Sequence, residues 1–177
     1  KEFSFDNVFQ PVVGGDAGQG DIFEDTSNLI QSCLDGFNVC IFAYGQTGSG
    51  KTFTMEGPPD NRGVNFRALD SMFALALERA DEARYTISLS MLEIYNEKIK
   101  DLLNPSDANL DVREVPSRGT YVAGATDKSV STPDEMMALI HEGNLYRTTE
   151  ATKVNEVSSR SHAVLQVSVR ARNKYQD

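Results

Sequence analysis

Tryptophan is absent, and cysteine occurs only at Cys33 and Cys40 of the 177-residue chain. The two match no metal-ligand or redox spacing, so both are expected as buried, reduced thiols of a cytosolic protein. Long apolar runs are missing as well. No run exceeds the length of residues 39–44, which falls far short of the ~20 residues needed to span a bilayer. No basic-then-apolar start leads into a small-residue cleavage site, so no secretory signal is visible. Positive charge is scarce: 17 Lys plus Arg face 26 Asp plus Glu, for a net charge of −9. That balance argues against a whole-surface nucleic-acid or membrane binder, while a local basic patch remains compatible with it. Internal repeats and low-complexity tracts are also lacking. What is present is ordinary: 40% hydrophobic and 24% charged residues, too apolar for disorder and long enough for a core.

Periodicity sketches an α/β chain. Apolar residues from Ile22 to Leu34 follow a helical stripe, with Gly36 placed as a stop. Residues 39–44 read as a buried central strand of a parallel sheet, and a helix-compatible stretch starts at Lys51. Gly57, Pro58, Pro59 and Gly63 mark a loop, followed by a second helix over 64–80. Residues 85–95 alternate as a long strand, and 97–103 are expected as a short helical turn stopped by Asn104-Pro105. Two short runs, 110–115 and 120–125, flank Pro116-Ser117-Arg118-Gly119 as a hairpin. Thr132-Pro133-Asp134-Glu135 is a capping-box helix start, with Gly143 a candidate stop. Residues 2–5 read as strand-like at the start, and a last strand runs over 162–172.

The strongest chemical signal is Gly45-Gln46-Thr47-Gly48-Ser49-Gly50-Lys51-Thr52, a complete G-x-x-x-x-G-K-[ST] match. Glycines let successive backbone N–H groups surround phosphate oxygens, and the following helix directs its positive end at the same anion. Lys51 is placed to reach the β- and γ-phosphates, and the Thr52 hydroxyl to ligate Mg²⁺. A chance match is expected in about 0.6% of chains of this length at background composition. The strand expected before the loop and the helix after it favour a nucleoside triphosphate site over a structural turn. Far downstream, Asn155, Ser158, Ser159, Ser161 and Arg160 gather polar groups able to solvate phosphate and metal, although in isolation a helix cap or ST-turn is the favoured reading of them.

Together these blocks resemble a known family. Ile41-Phe42-Ala43-Tyr44-Gly45-Gln46-Thr47-Gly48-Ser49-Gly50-Lys51-Thr52-Phe53-Thr54-Met55 closely resembles the kinesin motor signature. In kinesin order lie Phe3-Ser4-Phe5-Asp6-Asn7-Val8-Phe9, then Glu93-Ile94-Tyr95-Asn96-Glu97 with Asp101-Leu102-Leu103, then Arg147. Asn155-Glu156-Val157-Ser158-Ser159-Arg160-Ser161-His162 is similar to the family's switch I loop, N-x-x-S-S-R-S-H. The resemblance spans essentially all 177 residues.

It implies a P-loop fold with a mainly parallel central sheet flanked by helices, using MgATP hydrolysis, with ADP as product, to move along microtubules. Ser158 and Ser159 then face the γ-phosphate, with Ser159 the better Mg²⁺ contact. Asn155 senses the γ-phosphate, Arg160 pairs with a switch II glutamate, and Phe53 lays its ring on adenine. Glu93, Asn96 and Glu97 are expected to fix local turns, and Arg147 to serve as an ion-pair partner. The hairpin around Arg113 and Arg118, with Lys128 nearby, resembles the lateral microtubule-contact region, although an ordinary solvated loop accounts for these charges as well. Pro116 and Ala123 stand where relatives often carry Lys, which weakens that contact.

The departures are as informative. No D-x-x-G-x-E switch II motif and no Arg-x-Arg-Pro strand occur. The chain starts without Met, so it is expected to be the nucleotide-binding half of a motor domain, inactive in isolation, with its main microtubule-binding surface elsewhere. Dimerisation through a coiled coil outside the segment and a cytoplasmic, cytoskeletal location follow from the same resemblance. Asn61-Arg62-Gly63-Val64-Asn65 and the approach at 35–37 lean toward the C-terminal-motor, minus-end-directed group. Two other functions remain open at this point: a non-motor P-loop ATPase, and a kinesin-like microtubule-binding module without turnover.

Overall fold

The computed structural model describes residues 2–9, 18–106, 108–116, 119–153 and 161–175. The chain divides into two compact units, Lys1–Glu82 and Ala83–Asp177.

The first unit is helical. Helix α1 (Gln19–Leu34) packs on α3 (Val64–Glu78), burying Ile30 and Leu34 from the first helix and Val64, Phe66, Leu69 and Met72 from the second. Gly36 ends α1 as its position suggests. It sits at φ 97°, and the N–H groups of Gly36 and Phe37 return to the carbonyls of Cys33 and Ser32 at 3.1 and 3.0 Å. This is the two-bond closure that a left-handed residue permits. Asp35 then pairs with Arg79, just beyond α3, at 2.6 Å. The short helix α2 (Lys51–Met55) follows the glycine-rich loop.

Three expectations for this unit are corrected. Residues 39–44 form no strand, and Phe42 and Tyr44 are 77% and 94% exposed. A strand is a paired object, and among the described residues no ladder partner reaches this segment. Cys33 is half-buried, with burial pushing its thiol pKa up, whereas Cys40 is exposed. Residues 2–5 are irregular and exposed rather than strand-like.

The second unit is built on β1 (Ala83–Tyr95). On one flank it pairs with β2 (Lys98–Asp101) and β5 (Lys128–Val130), and on the other with β6 (Ser161–Asn173) along its full length. Every described ladder is antiparallel, so the parallel pairing expected at 39–44 is not among them. Seven consecutive residues of β1, 87–93, are buried, which a strand reaches only when both faces are covered. Helix α4 (Pro133–Lys153) lies on one of those faces; Met136 and Ile140 are buried with Leu89 and Met91. A separate hairpin joins β3 (Asp111–Val115) to β4 (Gly119–Ala123), as the turn residues foretell.

Two further expectations give way here. Residues 97–103 are not helical. Asn96 and Glu97 hold φ of 48° and 63°, the requirement of a tight hairpin turn, and Tyr95 pairs directly with Lys98. The turn residues set the outcome, and the chain reverses into β2. Gly143 does not stop α4. It lies inside the helix, where a Cβ would press on Met91 Sδ, so its missing side chain leaves room for the Met91 thioether at the helix–sheet contact. The helix start matches its signature: the Glu135 N–H donates to Thr132 Oγ1 at 3.1 Å and the Ser131 N–H to Glu135 Oε2 at 2.7 Å. No helix among the described residues is long and apolar enough to cross a membrane.

Candidate functional site

The glycine-rich loop leads from residues 39–44 into α2. Gly48 and Gly50 take φ of 80° and 93°, which a residue with a Cβ adopts only at a cost. The Ser49 N–H closes a turn onto the Gln46 carbonyl at 3.2 Å. Lys51 then folds back over the loop, its Nζ donating to the carbonyls of Gly45 and Gln46 at 2.8 and 2.7 Å. The ammonium is therefore held by the loop's own backbone while residues 45–50 remain exposed. Thr52 and Phe53 are exposed beside it, with Phe53 offering 53% of its surface.

These groups fit a Mg²⁺-bound nucleoside triphosphate. Positive-φ glycines allow close backbone approach, and Lys51 supplies a positioned cation. Mg²⁺ sheds its water reluctantly and takes only one or two protein oxygens beside phosphate, so one threonine hydroxyl is an adequate donor. Among the described residues no three His, Cys, Asp or Glu side chains gather as a metal cage, and Thr52 needs none.

One residue of this region is not legible in the sequence. Gln19 is fully buried and donates its Nε2–H to the Phe53 carbonyl, which ties the start of α1 to α2. Its Oε1 has no partner among the described residues. A glutamine at a helix start carries no pattern that separates it from any polar surface residue.

In the second unit Glu93, only 4% exposed, meets Arg147 and Ser161. Arg147 Nε donates to Glu93 Oε1 at 3.3 Å, and Arg147 Nη2 to Ser161 Oγ at 3.2 Å. The Ser161 hydroxyl donates to the same Glu93 oxygen at 2.5 Å. The ion-pair role expected for Arg147 is thus realised, and its partner is Glu93. Asn96 and Glu97 form the tight turn between β1 and β2, whereas Glu93, expected to fix a turn as well, instead bonds Arg147 on α4 and Ser161 on β6. Asn155, Ser158, Ser159 and Arg160 lie outside the described residues, and His162 is exposed on β6.

Of the three basic residues in the hairpin region, Arg113 is exposed on β3 opposite Tyr121. Lys128 sits on β5 with its Nζ 3.9 Å from Glu142 Oε2, a loose surface pair. Arg118 lies outside the described residues.

Comparison with known proteins agrees with the loop. The kinesin motor domain family matches residues 1–177. The chain is 45% identical over 175 residues to kinesin-like protein KIN-14R of Arabidopsis thaliana, covering 98% of this chain and 16% of that protein. It is 46% identical over 175 residues to kinesin-like protein KIN-14E of Oryza sativa subsp. japonica, with the same coverage of each. Kinesin-like protein klp-3 of Caenorhabditis elegans is 44% identical over 162 residues, 92% of this chain and 27% of its own. Across these curated relatives the chain spans between 14% and 27% of their length. Among solved structures, that of a fast kinesin superposes with a TM-score of 0.82 at 37% identity, covering 88% of this chain and 45% of that one. The KIN-14 names agree with the lean toward C-terminal motors seen in the sequence. The chain has the P-loop α/β fold of that neighbour and belongs to the kinesin motor domain family.

Proposed function

We propose that this chain is the nucleotide-binding part of an ATP-driven microtubule motor. The observation that carries this reading is the loop itself, with Lys51 clasped to the carbonyls of Gly45 and Gln46 beside two positive-φ glycines. ATP with Mg²⁺ supplies the phosphoryl group, and catalysis of its transfer is chiefly positioning and charge stabilisation. Gly45, Gln46, Thr47, Gly48, Ser49 and Gly50 present backbone N–H groups to the β-phosphate side, and Lys51 exchanges its loop carbonyls for phosphate oxygens. Thr52 and Ser159 hold the metal, and Phe53 offers its ring to the base. Asn155 and Ser158 orient the γ-phosphate and the attacking water. Arg160 closes the site against a glutamate of the family's switch II motif.

Arg113, Arg118 and Lys128 meet the acidic microtubule surface through long-range attraction, a modest contribution to track binding. Dimerisation through a coiled coil and a microtubule-associated location in the cytoplasm belong to the same reading, as does the absence of nucleic-acid and membrane partners. Reversing Arg118 to Glu is expected to weaken microtubule binding at low ionic strength and to flatten its salt dependence, read by co-pelleting across ionic strength.

The deciding experiment measures ATP turnover of the complete protein with and without microtubules. Stimulated turnover that Lys51→Ala abolishes is the expected result. Turnover indifferent to microtubules would instead mark a non-motor P-loop ATPase. Co-pelleting without turnover would mark a binding module. Residues 1–177 alone, having no D-x-x-G-x-E motif, are expected to turn over negligibly in the same assay.

A further inference from the structure

Gln19 holds a place that stability alone does not account for. It is the first residue of α1, fully buried, and its Nε2–H donates to the backbone carbonyl of Phe53 in α2. Its Oε1 meets no donor among the described residues. A buried acceptor without a donor costs as much as a hydrogen bond contributes, so an apolar side chain of the same length would fill the space equally well. Both residues belong to the first compact unit, Lys1–Glu82.

The use of the amide is read from α2. That helix is only five residues long and carries Lys51, Thr52 and Phe53, the residues proposed above to meet Mg²⁺ and nucleotide. An isolated helix this short is unstable in water, so α2 depends on what surrounds it. Its last carbonyls also need partners from outside the helix. The N–H groups of Glu56 and Gly57 both return to the Thr52 carbonyl, at 2.8 and 3.2 Å. Gly57 sits at φ 64°, so the chain turns away, and the Glu56 carbonyl accepts from the Gly63 N–H at 2.8 Å. In a longer helix the Gly57 N–H would bond to the Phe53 carbonyl, four residues back. Here that carbonyl is left over, and the Gln19 amide takes it.

The bond therefore falls on the residue whose ring is offered to the base. The Phe53 side chain is 53% exposed, so packing around the ring fixes it only in part. A hydrogen bond to its own carbonyl acts on the backbone, where it restrains the rotation of α2 about its axis and with it the direction of the ring.

We propose that Gln19 is a positioning residue for the nucleotide base: by holding the Phe53 carbonyl it sets the plane on which the base lies. Fully buried, it acts through Phe53 and does not touch the nucleotide itself. The proposal rests on the nucleotide-binding reading above and separates how the base is held from how the phosphates are held.

The test measures the affinities of the complete protein for ADP and for pyrophosphate, each with Mg²⁺, beside thermal melting without either ligand. The two ligands share the phosphate contacts and differ in the nucleoside. Gln19→Met keeps the length of the side chain and removes both polar atoms. It deletes one orphaned acceptor as it exposes another, so the melting temperature is expected to stay nearly where it was. The ratio of ADP to pyrophosphate affinity is expected to fall about five-fold, part of what one base–aromatic stack contributes. Phe53→Ala should lower the same ratio, and adding Gln19→Met to it should lower the ratio no further, because the second residue acts through the first. Losses that add in full overturn the proposal. Loss of folding in Gln19→Met, or a lower melting temperature with the ratio intact, marks a residue that serves stability and overturns it too. Wild-type protein that binds neither ligand overturns the nucleotide reading and this inference together. A wild type that prefers ADP, beside an indifferent Gln19→Met, overturns the inference alone.

Discussion

The loop at 45–52 and the Glu93–Arg147–Ser161 cluster are built in opposite ways. The loop is contiguous in sequence and exposed, and among the described residues Lys51 bonds to backbone five and six residues away. The cluster draws its members from positions up to 68 residues apart, and two of the three are buried. One is a local shape dictated by glycine and lysine chemistry. The other is a consequence of strand register and helix placement. A ligand-binding loop must leave its donors available, so it contributes little to stability. A buried polar ring must satisfy every donor, so stability and positioning become inseparable there.

The sharpest test of that contrast removes the loop's cation. Lys51→Ala is expected to lower microtubule-stimulated kcat/KM by about a thousandfold, the upper range for one charge-stabilising donor. Chemical denaturation should find its stability unchanged, because the side chain supports nothing but the loop. Next in size, Glu93→Ala strands Arg147 and Ser161 without their shared acceptor. Arg147 is 28% exposed and retains some access to water, so the expected loss is about 2 kcal/mol rather than the full cost of a sealed pair. Equilibrium unfolding in urea measures it.

Gly143→Val forces branched carbons against Met91 and is expected to cost about 1.5 kcal/mol, with α4 displaced from β1. The smallest effect comes from the start of that helix. Thr132→Ala removes the acceptor for the Glu135 N–H and should cost about 1 kcal/mol, seen as a lower urea midpoint.

Local rules carried the sequence reading a long way. The loop, the Gly36 helix stop, the Thr132 cap and the β3–β4 hairpin are each set by a few neighbouring residues, and each is where its residues put it. The failures share a cause. Residues 39–44 are apolar and β-branched enough for a strand, yet hydrogen-bonded pairing depends on a neighbour that no local window contains. Residues 97–103 have a helical composition, but two left-handed residues at Asn96 and Glu97 reverse the chain, and β1 captures residues 98–101 as its ladder partner. Gly143 resembles a helix terminator in one dimension and is a packing contact in three.

By itself the sequence determined the family and the nucleotide loop, because phosphate binding needs particular backbone freedom and a cation at contiguous spacing. Tertiary structure alone decided what Gln19, Glu93, Arg147 and Ser161 do. Their partners lie tens of residues away, and only the β1–β6 register and the packing of α1 and α4 bring the groups within hydrogen-bonding reach. A single polar residue carries no record of its distant partner, whereas a run of eight with fixed chemistry does.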